Sequence, residues 1–340
     1  MVFVTHSIFL LGMEAGCAPL LQMFGAMGVT GFFVVSGFLV SASSHSCSDA
    51  AGFMLRRIGR IFPGFWLCLV LTAFIYAPGI VIAEGGDLVK FLRDPSGPIE
   101  FCVRNAVLRI VQHDISGIYS EFPQPGANGA LWTLGWEFAC YALVAAMMFA
   151  GRGSFRRWLT GLGFGAAWMN LLFPPGSFFG LYYTRGGVPE FFAAFALGMV
   201  CWEWRDRVRS LPVASCVCGI VSMIAVEHGL RSWIWLPMWS YFILCLGLSR
   251  SLSRAEFLGD YSYGIYLYHF PIMQLWIALL SGCLTPWLLG LLTLPVVFLS
   301  AWISWNWVEL PGKRFFGRMA RSLGSGGMQE AGSAVRSGGP

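Results

Sequence analysis

Three side chains sit inside apolar sequence where ionisation is expensive: His6, Glu137 and His269. An Asp, Lys or Arg at the centre of a membrane helix costs roughly 2.5–3.5 kcal/mol on insertion scales, so such groups are functional candidates by default. The imidazole of His6 is the side chain best suited to moving a proton near neutral pH; the competing account is a core histidine hydrogen-bonded between helices. Glu137 follows Asn128-Gly-Ala-Leu-Trp-Thr-Leu-Gly-Trp and lies seven residues into its apolar run, about 10 Å deep at 1.5 Å per residue. A carboxylate there must pair or protonate. It can orient a histidine, bind a hydroxyl, or lock two helices together. His269 ends the run Tyr261-Ser-Tyr-Gly-Ile-Tyr-Leu-Tyr-His. Ser262, Tyr266 and His269 share one helical face by the 4-then-3 spacing, and Tyr263 lies one position on from Ser262. Belt tyrosines at a membrane interface and an inter-helix hydrogen bond are the alternatives for this group. Glu309, before Pro311 and near Lys313 and Arg314, reads as a helix-exit acid that snorkels into an ion pair, with a site role as the second option.

A second kind of chemistry is offered by Arg56, Arg57 and Arg60, which follow the small-residue run from Gly28 and a short polar link. Guanidinium forks bind phosphate and carboxylate in pairs of hydrogen bonds. Arginines at the mouth of an apolar run are also the commonest topology anchors. The spacing predicts a span entered at Ile61, with Pro63 in its first turn, where proline is tolerated.

The elements that must hold these residues are helices in a membrane. Of 340 residues 56% are apolar and 11% charged, with a mean hydropathy of +0.66; an ordinary soluble domain has about 25% charged residues. Ten apolar runs stand out, at roughly 1–13, 25–43, 61–83, 130–150, 156–173, 188–204, 211–228, 231–248, 261–281 and 285–308. Their lengths suit helices of roughly 20 residues rather than the short alternating strands of a barrel. The expected fold is therefore an all-α polytopic integral membrane protein of about ten spans. With loops placed alternately on two sides, sixteen Lys and Arg fall on one side and six on the other. By the positive-inside rule the first side is cytosolic, with both termini and the arginine cluster there.

The transmembrane domain is expected to cover residues 1–316. A long outer loop spans 84–129, and a Gly- and Ser-rich cytoplasmic tail, 317–340, is expected to be disordered. Within the loop, Ile99, Val103, Ala106, Val107, Ile110 and Val111 recur at helical spacing and predict an interfacial helix, as cover or as lid. The first run is about 7–10 residues short of a span, which predicts a truncated first helix, as a start codon assigned too late would give. Gly161, Gly163 and Gly165 lie inside a span with no strand before them, so helix packing accounts for them better than a dinucleotide loop. Ten scattered cysteines without a paired CxxC pattern predict buried free thiols and no metal site.

Taken in order, several motifs resemble the membrane-bound acyltransferase family 3, bacterial enzymes that O-acylate surface sugars and some small molecules. They are His6 in the first helix; Gly31-Phe-Phe-Val-Val-Ser-Gly-Phe-Leu; Arg57-Ile-Gly-Arg60 with Pro63; Leu131-Trp-Thr-Leu-Gly-Trp-Glu137 with Tyr141; Ser262 through His269-Phe-Pro; and Glu309-Leu-Pro. The set covers nearly the whole chain up to Arg318. The resemblance implies a bacterial inner-membrane enzyme that moves an acyl group, expected to be acetyl, from cytosolic acyl-CoA to a hydroxyl of a cell-surface or exported glycan such as lipopolysaccharide or exopolysaccharide. It implies His6 as the essential histidine and Arg57 and Arg60 at the donor site; Glu137, from its depth in the fourth run, is a second catalytic candidate, and Ser36, in the small-residue run, joins the donor site. Tyr263, Tyr266, His269 and Glu309 complete the candidates. No bound cofactor and no nucleic-acid partner are expected; acyl-CoA is a co-substrate, and membrane lipid and the hydroxyl acceptor are the partners. The family's basic residue about eleven positions before the histidine would precede Met1.

Two mechanisms stay open on these residues: His6 as general base in a direct transfer, or an acyl-histidine relay. Outside the enzyme class, a transporter or flippase for a glycan or small anion would use the same helices, intramembrane His and Glu, and arginine gate; no internal repeat supports it. An inactive accessory protein is the third option.

Overall fold

A computed structural model describes residues 1–13, 19–47, 49–151, 153–172, 188–207, 211–249, 260–280 and 282–336. Helices account for all its regular structure, with no strand among the described residues. The protein is an all-α membrane protein. Among the described residues, four helical rods are long and apolar enough to cross a bilayer: Met23–Ser46, Ala50–Ala83, Trp132–Ala150 and Pro286–Leu323.

A short first helix, α1 (Val2–Phe9), leads to α2 (Pro19–Ser46), and α2 turns into α3 (Ala50–Leu71). Asp49 caps the start of α3, its carboxylate accepting from the Gly52 amide at 2.6 Å. The helix therefore begins thirteen residues before Pro63, which lies inside it rather than in a first turn. The apolar run marked only the membrane-facing part, whereas the cap and the helix-forming residues between it and Ile61 set the true start. Arg56, Arg57 and Arg60 are consequently helical. A π-helical turn, Thr72–Tyr76, joins α3 to α4 (Ala77–Ala83).

The loop that follows carries α5 (Leu88–Arg93) and α6 (Pro98–Asn105). The predicted interfacial helix stops at Asn105, short of Val111. The Asn105 side chain takes over the backbone there: its Oδ1 accepts from Val111 N and Gln112 N and its Nδ2 donates to Gln112 O. Leu108 adopts a left-handed φ of 63°. The outward apolar face survives the break, with Ile99, Val103, Val107 and Val111 all exposed. Tyr119, Phe101 and Ile115 of the loop are buried in the main core, and Gln274 Nε2 donates to Gln124 O at 2.9 Å and Gly126 O at 3.1 Å. The loop is packed cover.

Next come α7 (Trp132–Ala150), α8 (Ser154–Leu172), α9 (Val188–Glu203), α10 (Pro212–Glu227), α11 (Ser232–Gly247), α12 (Ser262–Leu279) and α13 (Pro286–Ser304). A second π-helical turn, Trp305–Glu309, leads into α14 (Leu310–Arg336). α14 packs along α3, with Phe316 against Gly59 and the Ala320 carbonyl near Gly52. It continues through Gly317 to Arg336, where composition predicts a disordered tail; residues 313–323 are rich in helix formers and one face is held by α3.

α2 and α9 cross at backbone contact. A Cβ on Gly37 would stand 2.0 Å from the Phe195 carbonyl oxygen, and one on Gly198 would stand 2.1 Å from that of Val34. Small residues let membrane helices approach to backbone contact, and these two glycines do so. Gly161, Gly163 and Gly165 are helical, but no described atom lies within 4 Å of where a Cβ would sit. Among the described residues they do not mediate the close packing expected of them.

Candidate active site

Pro271 lies inside α12, two residues after His269. Lacking an N–H, it leaves the Leu267 carbonyl without its helical partner. Asn128 Nδ2 donates to that carbonyl at 2.9 Å, and Cys68 Sγ donates to it at 3.3 Å. The same Asn128 holds the segment before α7, since its Oδ1 accepts from Ala130 N at 3.1 Å. Ala130 O in turn accepts from Tyr266 OH at 2.7 Å, and Thr133 Oγ1 lies 2.5 Å from the same phenol. One missing amide thus docks the start of α7 onto the face of α12 that carries Tyr266 and His269.

His269 meets His6 across 263 residues of sequence, with His6 Nδ1 and His269 Nε2 2.6 Å apart. The ring planes differ by 12° and the centroids are 4.9 Å apart. That separation equals the nitrogen contact plus the two ring radii, so the imidazoles meet edge to edge in nearly one plane. The network fixes the tautomers. His269 Nδ1 faces only carbonyls, Tyr266 O at 2.8 Å and Ile265 O at 3.1 Å, and must donate. Its Nε2 then accepts from His6 Nδ1–H. The remaining nitrogen of His6, Nε2, is left with its lone pair free, as a general base requires. Phe270 closes one side, its ring edge-on to His6 at 5.3 Å.

A separate cluster forms toward the arginines. Glu137 is buried, and its Oε1 accepts a short hydrogen bond from Tyr141 OH. Ser36 Oγ lies 3.5 Å from the same phenol. The Arg57 guanidinium stands 5.5 Å from the Tyr141 ring centroid and donates to Ser43 Oγ at 2.7 Å. Arg60 pairs with Asp260 at 2.6 Å and lies 5.5 Å from the Tyr263 ring centroid, while Tyr263 OH donates to Ile61 O at 2.8 Å. Of the readings open for Glu137, orienting a histidine is not the one observed: its partner is Tyr141, and the partner of His6 is His269. Glu309 does not snorkel. It is 2% exposed, its Oε1 accepts from Ser304 Oγ at 2.6 Å, and Ser304 Oγ accepts from Tyr268 OH at 2.9 Å. The π-helical turn ending at Glu309 turns the carboxylate inward, against Gly64 and alongside Tyr263. Lys313 rests over the Trp305 ring instead, at 5.4 Å.

Two cavities join these clusters. The larger, about 780 Å³, is lined by His6, Tyr266 and Thr133, by Trp132 and Trp235, and by Glu190, Arg231 and Ser232 from the starts of α9 and α11. It opens at the end of the bundle opposite the arginine cluster. The smaller, about 150 Å³, is lined by Arg60, Glu137 and Tyr263. Val2, Val29, Thr133 and Tyr266 line both. The narrow cavity beside Arg60 and Glu137 is therefore separated from the wide cavity that His6 lines only by the side chains of these four residues.

The arrangement separates two tasks. The arginine end can hold an anion, and the wide cavity can admit a polar ligand against a base, His6, that a second imidazole orients. Sequence patterns do not single out Asn128, Thr133 or Asp260. Asn128 had one signal, Pro271 four residues after Leu267, which predicts a stranded carbonyl in need of a donor.

Comparison with known proteins gives the family of the chain. The acyltransferase-domain family matches residues 1–306. The O-acetyl transferase of Shigella phage Sf6 is 28% identical over 347 residues, covering 95% of this chain and 94% of that protein. The exopolysaccharide production protein ExoZ of Rhizobium meliloti (strain 1021) is 28% identical over 266 residues, covering 72% of this chain and 75% of its own. The peptidoglycan O-acetyltransferase OatA of Listeria monocytogenes is 24% identical over 330 residues, covering 84% of this chain and 51% of its own. No solved structure matches the chain.

Proposed function

Because this chain belongs to the acyltransferase-domain family along residues 1–306, we propose that it is a bacterial membrane O-acyltransferase that uses acyl-CoA, most simply acetyl-CoA, to acylate a hydroxyl of a surface or exported glycan. The observation that carries this reading is the His6–His269 pair, with His6 on the wall of the wide cavity beside Thr133 and Tyr266, which also line the narrow one. The donor enters from the arginine end, which faces the cytosol in a plasma-membrane protein of about ten spans with both termini inside. The polyanionic coenzyme lies against Arg57 and Arg60, and its pantetheine arm threads the narrow cavity past Glu137 and Tyr263. The acceptor reaches His6 from the wide cavity.

In the transfer, His6 Nε2 takes the proton of the acceptor hydroxyl as its oxygen attacks the thioester carbonyl carbon. The C–S bond then breaks, and the departing thiolate takes the proton back from the imidazolium. His269 stays hydrogen-bonded to His6 Nδ1–H throughout and holds the ring in the productive orientation, a positioning role like that of the buried aspartate in a serine-hydrolase triad. Glu137, Tyr141 and Ser36 form the wall of the donor passage, and Glu309 and Tyr263 hold α3 and α12 around it.

The test is acyl transfer from labelled acetyl-CoA to isolated surface glycan by the purified protein. Wild type transfers label, and His6→Ala, inserted normally, does not. Retained activity in His6→Ala removes that residue from the mechanism, and absence of any transfer by wild type removes the donor assignment.

A further inference from the structure

A third cavity, of about 770 Å³, lies at the arginine end between the link from α2 to α3 and the link from α7 to α8. It is lined by Ser44, His45, Asp49, Met148, Phe149 and Arg156 among others. We propose that it takes the 3′-phosphoadenosine end of the donor coenzyme, with Arg156 holding the 3′-phosphate. This rests on the donor assignment above and sharpens it: the donor is free acyl-CoA rather than an acyl group carried on a protein's phosphopantetheine.

Arg156 is the reason. It is only 5% exposed, its one described partner is the Ser44 hydroxyl, and its Nε is buried with no partner. No carboxylate of the described residues lies within ion-pair distance of it. The nearby acid, Glu203, is engaged by His45 at 3.3 Å and Arg157 at 3.5 Å. Asp49, on the cavity rim, is turned into the start of α3 as its cap. A buried guanidinium with an unpartnered N–H, and with the acid that acts on it, Glu203, beyond ion-pair distance, is poorly compensated, and a phosphate in the adjoining cavity supplies a direct partner.

The neighbouring cation fits the same ligand. Arg57 donates to Ser43 while Arg156 donates to Ser44, so two guanidinium groups are held at the same end of α2. Arg57 also has a buried Nε without a partner and no carboxylate among the described residues within ion-pair distance. From Arg57 the path continues over Tyr141 to Glu137 in the narrow cavity. A ligand with one phosphate at Arg156, a pyrophosphate at Arg57 and a long arm leading inward has the shape of coenzyme A. Met148 and Phe149 provide an apolar lip for its adenine. An anionic lipid with its headgroup at Arg156 would send its chains outward, and a carrier-borne phosphopantetheine has nothing to place in this cavity. The volume is in the ordinary range for a small-ligand site.

The experiment compares acetyl-CoA with 3′-dephospho-acetyl-CoA as donors for the purified full-length protein in one lipid mixture. In wild type, loss of the 3′-phosphate raises KM about tenfold or more, the scale of one charge-assisted contact. Arg156→Gln raises KM for acetyl-CoA by a similar factor, leaves the dephospho donor unchanged and so abolishes the discrimination; Arg156→Lys keeps part of it. Equal use of both donors by wild type overturns the proposal. So does an equal loss on both donors in Arg156→Gln, the result expected of a lipid site or a purely structural arginine. Should Arg156→Gln fail to fold, inhibition of wild type decides: adenosine 3′,5′-bisphosphate must compete better than adenosine 5′-monophosphate, and equal inhibition overturns the proposal. Wild type that transfers from neither donor is a failure of the donor assignment, distinct from a failure of this site.

Discussion

Asn128 replaces the amide that Pro271 lacks. Its Nδ2 donates to the Leu267 carbonyl at 2.9 Å, four residues before the proline, and its Oδ1 carries the start of α7. Removing the amide group leaves a buried carbonyl short of its main donor, a loss of roughly 1–3 kcal/mol. Asn128→Ala is therefore expected to lower the thermal midpoint and acyl transfer together. In Pro271→Ala, the restored N–H can bond Leu267 O within the helix, and Asn128→Ala should then cost less. A double-mutant cycle on thermal stability measures that coupling, and strict additivity would show that the two residues do not share the carbonyl.

The histidine pair predicts unequal losses. His6→Ala should lower kcat by about 10²–10⁴-fold, the usual scale of general-base catalysis. His269→Gln keeps an acceptor for His6 Nδ1–H and should lose less than His269→Ala. With His6 already replaced, a change at His269 should cost almost nothing further, because the second imidazole acts only through the first. Steady-state kcat and KM on the four variants check this, and a multiplicative loss in the double variant would mean that His269 acts on substrate by itself.

The glycines predict opposite outcomes along the chain. Gly37→Ala or Gly198→Ala drives a methyl into a carbonyl about 2 Å away, and overpacking of this kind costs typically 1–3 kcal/mol. Gly163→Ala, with open space around it among the described residues, should be neutral or slightly stabilising through helix propensity. Melting of the detergent-purified variants ranks them; equal effects would mean that α2 and α9 are not in backbone contact.

Thiol labelling reads the sidedness proposed here. Cys283, exposed in the link between α12 and α13, should react with a charged methanethiosulfonate from outside intact spheroplasts. Cys102, in the outer loop, is half-buried, and burial pushes its thiol up to about 11. The thiolate is the reactive form, so Cys102 should label slowly at pH 7 and about tenfold faster per pH unit toward that value. Single-cysteine variants with mass detection give both rates. Protection of Cys283 in intact spheroplasts would reverse the proposed orientation.

Much of this was legible residue by residue, because cost marks position: a histidine or carboxylate in apolar sequence announces itself. His6, Glu137, His269 and the arginine pair could each be picked out that way. Their partnerships could not, because contact between His6 and His269, or Arg60 and Asp260, spans about two hundred residues or more and leaves no local periodicity. Helix ends were the other weak point. Hydropathy reports where a helix is apolar rather than where it begins, so Asp49 and Asn105 set boundaries that the apolar runs missed. Glu309 looked like a surface acid because nothing in Trp305–Glu309 announces a widened turn.

Four residues, Val2, Val29, Thr133 and Tyr266, form the wall common to the narrow and wide cavities. In the proposed orientation that wall is also part of the bilayer's electrical insulation, since the chambers face different compartments. Solvent ions must not follow the acyl group. In the proposed mechanism the thioester arm and the acceptor fill their chambers as they meet, so the reactants themselves act as stoppers. Shaving Val29 or Thr133 to a smaller side chain would test the enzyme as a barrier as much as a catalyst, with proton leak into proteoliposomes as the readout.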